Sequence, residues 1–379
     1  MLTSKLPNAS TSIFSIMSKM AADFNAINLS QGFPNFESDP NIIELVSKAM
    51  KDGYNQYAPM PGDMLLRERI SEKIETLHGK RYNPDTEITI TAGATQAIFT
   101  AIAATIQQGD EVLLFTPAYD CYKPSVELFG GKVVPVQLMP PFYKPDWDVV
   151  QSKISKRTKM ILINSPHNPS GMLFTEDAML QLQTIAEENN LLVLSDEVYE
   201  HIIFDGEVHQ SAAKFNALAA RTFITASFGK TFHNTGWKLG YCVAPEILMT
   251  EFKKVHQYNV FCVNHPMQKA LATYLEKPAH YLELSGFYQQ KRDYFTTLLK
   301  NSRFKIIPSK GTYFQLLDFS EITDEQDVAF AERLTKDYSI ATIPTSVFNT
   351  EKQDFKQLRV CFAKKEETLK AAAAILNSI

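Results

Sequence analysis

The feature that most constrains this chain is an alternation. From about residue 87, short apolar or β-branched runs take turns with segments of helical period. EITIT (87–91) reads as a strand and TQAIFTAIAATI (95–106) as a helix. EVLLF (111–115), KVVPVQL (132–138), KMILIN (159–164), LLVLS (191–195) and RTFITAS (221–227) read as further strands. Runs with so little polar alternation suit strands buried on both faces, as in parallel sheets covered by helices. One intervening helix, TEDAMLQLQTIAEENN, opens on a threonine and carries acids in its first turn, where the helix dipole favours them. The expectation is an α/β architecture with a mostly parallel sheet.

After about residue 280 the pattern changes. A long polar helix (HYLELSGFYQQKRDYFTTLLKN) leads to FKIIP, GTYFQLLDF, a helix around DVAFAERLTKDY, IATIP, QLRVCFA and a final helix. These predict a smaller α+β unit. No Gly/Ser linker marks its start, and pattern alone leaves the first forty residues free to pack on either part.

Composition narrows the function classes. A formal net charge of −4 on 379 residues argues against nucleic acid as the main partner, because phosphate backbones attract basic faces. Cys121, Cys242, Cys262 and Cys361 are scattered without a CxxC pair, so neither a zinc knuckle nor a redox dithiol is expected, and no metal site is. No apolar span of membrane length is present, and the first residues lack the apolar core of a signal peptide. The expected location is the cytoplasm.

SFGKTFHNTGWKLGY (227–241) contains the string GKT, which suggests a phosphate loop. A Walker loop needs glycine five residues before Gly229, and Ile224 stands there. G-x-G-x-x-G is absent as well. The other reading makes Lys230, just past a strand, a nucleophilic amine for an aldehyde cofactor. Such a site needs a phosphate cradle, a group facing the ring nitrogen and partners for a ring oxygen. TAGATQA (91–97) places small residues before a helix start, where exposed N–H groups and the dipole favour an anion; a plain glycine turn is the alternative. NSPHNPSG (164–171) holds Asn168 before a proline with its amide available, or forms an Asx-Pro turn. SDEVYEH (195–201) puts Asp196 at a strand end, to face a cation or to cap a helix, with Tyr199 within reach of the same ligand. Each motif alone is weak. Their succession, each after a strand of one sheet and ending in Ser227-x-x-Lys230 with Lys238 eight residues on, is hard to ascribe to coincidence.

With those motifs in place, the chain resembles the class I aminotransferases of pyridoxal phosphate (PLP) fold type I, from NLSQGFPNF (28–36) to LRVCFAKKEETL (358–369). NQYAPMPG, SDEVYEHI, SFGKTFHNTGWKLGYCVAP, KVHQY and GTYF are most similar to the methionine and kynurenine/glutamine subgroup. The resemblance implies a large domain (45–282) with a mostly parallel seven-stranded sheet, a small domain (283–379), and an N-terminal segment (1–44) packed on the small one. It implies that Lys230 carries PLP and shuttles a proton, Asp196 pairs with the ring nitrogen, and Asn168 and Tyr199 bond the ring oxygen. Tyr119 would stack on the ring, while backbone groups of Ala94 and Thr95, with Ser227 and Lys238, hold the phosphate. Tyr57 would reach the phosphate of a neighbouring subunit, so a homodimer with shared sites is implied. Arg359 would clamp the substrate carboxylate, with Gly32 allowing close backbone approach.

The implied reaction moves an amino group from an amino acid to a 2-oxo acid with ping-pong kinetics. Phe14 and Phe261 correspond to pocket positions, and HQYNVFCVNHPMQ (256–268) contains no arginine. The expected donor is therefore neutral and apolar or aromatic, methionine favoured. A C–S β-lyase with the same cofactor is the rival reading, along with kynurenine/glutamine transamination.

Overall fold

A computed structural model describes residues 3–349 and 351–379. In chain order its strands are β1 (Ile27–Asn28), β2 (Ile88–Thr91), β3 (Glu111–Thr116), β4 (Lys132–Gln137), β5 (Thr158–Asn164), β6 (Leu192–Asp196), β7 (Thr222–Ser227), β8 (Gly240–Val243), β9 (Phe314–Asp318), β10 (Ile340–Ala341), β11 (Ile343–Pro344) and β12 (Gln357–Cys361). Seven of them form one sheet in the order β2-β8-β7-β6-β5-β3-β4. Its pairings are parallel except those of β8, which runs antiparallel to β7 and to β2.

Six of those strands coincide with the runs read from sequence. β8 was not among them, because GYCV is only four residues long and sits inside a motif dense in charge and glycine. A Cβ at Gly240 would stand 2.4 Å from the Ala226 carbonyl oxygen and 3.0 Å from the Ala94 nitrogen, so only glycine lets β8 pass under the neighbouring helix start.

The apolar runs work by period two. Along β3, Val112 and Leu114 join one core with Leu162, Leu194 and Phe223, covered by Ile98 and Ile102 of the helix Gly93–Thr105 and Phe252 of the helix Glu246–Asn259. Leu113 and Phe115 face the other way with Ile161, Ile163 and Val193, covered by Met179 and Leu182 of the helix Glu176–Glu188. Each such buried side chain contributes about 1.5–3 kcal/mol, so the sheet is held from both faces. That last helix opens as expected, with the Thr175 side chain accepting from the Ala178 N–H.

The C-terminal part differs from the reading in three places, the first being FKIIP, where only an isolated Lys305–Asp318 bridge forms. The long polar helix is broken at Glu283 into Ala279–Leu282 and Leu284–Leu298. IATIP is two short strands in different sheets, since β10 pairs with β1 while β11 pairs with β12. β12 also pairs antiparallel with β9. In the N-terminal segment, β1 pairs parallel with β10, Ile27 opposite Ile340 and Asn28 opposite Ala341.

Because β3, β5, β6 and β7 are parallel, their last residues Thr116, Asn164, Asp196 and Ser227 lie along one edge of the sheet. That carboxyl edge is where open α/β sheets place ligands.

Candidate active site

A cavity of about 300 Å³ opens at that edge. Of the residues expected from sequence, Phe14, Gly32, Ala94, Thr95, Tyr119, Asn168, Asp196, Tyr199, Ser227, Lys230, Lys238 and Arg359 line it. Tyr57 and Phe261 do not. Tyr57 is 82% exposed, and its ring meets the exposed Phe261 edge-on at 5.5 Å. Phe261 has φ +68° in the turn after the helix Glu246–Asn259, which aims it outward; a single chain does not bring it to its own cavity.

One end of the cavity is built for an anion. The helix Gly93–Thr105 starts there, and Ala92 gives it no side-chain cap. The first N–H groups of a helix have no partner inside it, so those of Ala94 and Thr95 are available at its positive end. The helix begins two residues before the expected Thr95, at Gly93, whose φ of +76° few residues but glycine accept. Lys238, also left-handed at φ +55°, and Ser227 line the same region.

Asp196 ends β6 and is almost fully buried. Its carboxylate accepts from the Tyr122 hydroxyl at 2.6 Å and from the Val198 N–H at 3.2 Å. Burial pushes its pKa up to about 6 against the lowering by these bonds and by Lys230. A buried carboxyl so placed is suited to a cation arriving with a ligand. Asn164, the last residue of β5, bonds both neighbouring loops: its amide donates to the Asp196 carbonyl at 2.9 Å, and its Oδ1 accepts from the Asn168 N–H at 2.8 Å.

Lys230 follows β7 in the short helix Phe228–Thr231. Its Nζ donates to the Gly32 carbonyl at 3.0 Å and to the Tyr313 hydroxyl at 2.9 Å. Burial, with Arg359 and Lys238 adding repulsion, lowers its pKa to about 8, although Cys361 and Asp196 act the other way. An amine near pH 8 is a far better nucleophile and base at neutral pH than an ordinary lysine.

Arg359 comes from β12 and is 1% exposed. Its Nη1 donates to Asn168 Oδ1 at 2.9 Å and its Nη2 to the Ser30 carbonyl at 2.8 Å. Its Nε is buried without a partner, and no carboxylate forms an ion pair with it among the described residues. The guanidinium lies 3.9 Å from the Phe314 ring centroid, with Phe14 at 5.1 Å and Phe348 at 5.5 Å. Asp120 feels its charge without forming an ion pair; a buried cation with no ion-paired carboxylate is a site for an anionic group, and aromatic rings on its flanks suit an apolar neighbour.

Several residues of this site were missed. Tyr313 sits in GTYF and Tyr122 three residues after Tyr119, but their partners lie 83 and 74 residues away. Asn164 had one visible signal, an amide closing the apolar run KMILIN.

The chain belongs to the aminotransferase class I and II family, whose pattern it matches over residues 25–376. It is 45% identical to the methionine aminotransferase of Escherichia coli (strain K12), covering 99% of this chain and 98% of that one. It is 34% identical to human kynurenine–oxoglutarate transaminase 3, over 95% of this chain and 86% of the relative. The crystal structure of YbdL from Escherichia coli, described as identifying a methionine aminotransferase function, superposes with a TM-score of 0.98 at 45% identity over the whole of both chains. The fold and the family make this chain a PLP-dependent aminotransferase of fold type I. The residues present fit PLP: an uncapped helix start for the phosphate, a buried carboxyl for the ring nitrogen and a cavity-facing amine for the aldehyde.

Proposed function

We propose that this enzyme takes the amino group from a neutral, sizeable L-amino acid, methionine before aromatic donors, and passes it to a 2-oxo acid. The observation that carries this reading is Arg359, a buried guanidinium with no ion-paired carboxylate among the described residues, flanked by Phe14, Phe314 and Phe348. One cation serves the α-carboxylate, and Phe14 and Phe314, which line the cavity, offer apolar surface to the donor side chain. Among the described residues no second arginine lines the cavity to hold a side-chain carboxylate. The likeness to a methionine aminotransferase at 45% identity supports the same donor class.

In this reading Lys230 bonds PLP, and the cradle of Ala94, Thr95, Ser227 and Lys238 holds the phosphate. Asp196 faces the ring nitrogen, Asn168 and Tyr199 the ring oxygen, and Tyr119 the ring plane. Bound PLP supplies an electron sink for the pair left when the substrate's α-proton departs. Arg359, with Asn168 steadying its fork, orients the carboxylate so that the α-hydrogen faces Lys230. Lys230 takes that proton and returns it one position along, acting as base and then as acid. Gly32 keeps the wall thin: a Cβ there would stand 2.7 Å from the Phe314 ring.

The same reading places the enzyme in the cytoplasm as a homodimer. The exposed Tyr57–Phe261 pair supports the dimer, since two aromatic rings directed outward beside the cavity's own chain are suited to a second copy's site. Large (45–282) and small (283–379) domains would carry the cofactor and substrate halves.

The test is a half-reaction without oxo acid, mixing PLP-loaded enzyme with single amino acids and following the cofactor spectrum. Rapid conversion by methionine, and slow conversion by aspartate, is expected. Conversion by aspartate or glutamate alone would end the apolar-donor reading. Pyruvate released from cystathionine, with no donor converting the cofactor, would point to a β-lyase.

A further inference from the structure

We propose that Tyr313 is a positioning residue for Lys230, fixing which way the free amine presents its lone pair. This rests on the proposed role of Lys230 as the proton carrier. Tyr313 is fully buried beside the cavity, and its hydroxyl bonds Lys230 and the Gly32 carbonyl, with the Tyr199 hydroxyl as a further neighbour. It donates its single proton to the Gly32 carbonyl and so can only accept from Lys230, whose Nζ stands 2.9 Å away. Lys230 also donates to Gly32 at 3.0 Å. A neutral amine has two N–H bonds and one lone pair. The tyrosine oxygen and the Gly32 carbonyl engage both N–H bonds, which leaves the lone pair on the cavity side.

Protonation keeps this arrangement. When the substrate's α-C–H bond breaks, its electron pair stays on the substrate side and the proton forms a third N–H bond on Lys230. The new N–H faces the cavity, because both older ones remain held. The proton is then returned from the position where it was received, without rotation of the amine. The tyrosine is itself held by packing, edge-on to Tyr199 at 5.2 Å and to Phe314 at 5.0 Å. Burial raises its own pKa well above the ordinary phenol range, so it remains a neutral hydroxyl through the working pH.

The test is Tyr313→Phe, which deletes one oxygen and keeps the ring. The holoenzyme half-reaction is timed with L-methionine and with α-deuterated L-methionine. The cofactor-free chain is timed separately as it captures PLP, read by absorbance. The expected result is a half-reaction slower by roughly 10- to 100-fold, with a larger isotope effect and unchanged apparent affinity for methionine. Capture of PLP should slow by roughly tenfold. An unchanged rate and isotope effect would overturn the proposal, and so would an insoluble variant, which would mark the hydroxyl as structural. Lys230→Ala is the control for the underlying reading. If it keeps the wild-type half-reaction, Lys230 is not the proton carrier; if it is inert while Tyr313→Phe is normal, only the role of Tyr313 fails.

Discussion

The Tyr122 hydroxyl donates to Asp196 Oδ2 at 2.6 Å, across 74 residues of sequence, inside a fully buried environment. A bond to the ionised form favours that form, so Tyr122 opposes the burial that lifts Asp196 to about 6. If Asp196 faces the ring nitrogen as proposed, PLP affinity of the cofactor-free protein should fall as pH drops through about 6, where Asp196 gains its proton. In Tyr122→Phe the decline should begin about one pH unit higher. The linked stability has a definite sign. A carboxyl with a raised folded pKa withdraws stability as pH rises from about 4 through 6, and bound PLP should offset that loss. Spectral titration with PLP, and melting with and without it across this range, check both statements.

Arg359→Lys keeps the charge and removes the fork. Asn168 and Ser30 hold the guanidinium flat, and an ammonium cannot occupy both bonds in the same plane. A loss of about 1.5–3 kcal/mol in kcat/KM, roughly 10- to 150-fold, is expected for every amino donor. The spectrum of bound PLP should be unchanged, because none of the cradle residues is altered. A disturbed spectrum would mean that Arg359 supports the cofactor.

Gly240→Ala tests how tightly β8 is threaded. The added methyl must move the Ala226 carbonyl or the Ala94 nitrogen, and both lie beside the phosphate end of the cavity. About 1–3 kcal/mol of stability should be lost, together with PLP affinity. Thermal melting and PLP titration on the same preparation separate the two effects.

Lys73→Ala should cost about 3–5 kcal/mol, because it leaves Glu200 buried without its cation. The pair is 2.6 Å apart with side chains 4% and 8% exposed. Burial pushes Glu200 up, yet Lys73 and His201 together hold it below the usual carboxylate range. Lys73→Met combined with Glu200→Gln should recover most of the loss in a denaturation experiment. A single variant as stable as wild type would show that the pair contributes nothing.

The sheet was legible because strands buried on both faces write continuous apolar runs, as at β3 and β5. β8 was not, since its four residues carry no such run, and its place depends on what Gly240 avoids in space. The residues that end strands, Asp196 and Ser227, were legible for the same reason the strands were. Tyr122 and Tyr313 were hidden by distance along the chain: a tyrosine in GTYF looks like core until Lys230 arrives beside it. Tyr57 and Phe261 stay apart from the cavity of their own chain, so their use depends on a surface that one sequence does not describe.

The pairing of β1 with β10, and of Arg359 with the Ser30 carbonyl, also sets an order of events during synthesis. The residues proposed to seat PLP lie between positions 94 and 238, whereas the proposed carboxylate clamp joins residue 30 to residue 359. A nascent chain emerging from the ribosome therefore holds every proposed cofactor contact of its own well before it has a working clamp. The last strand to leave, β12, carries the proposed clamp, so on this reading the chain can hold its cofactor before it can hold a substrate.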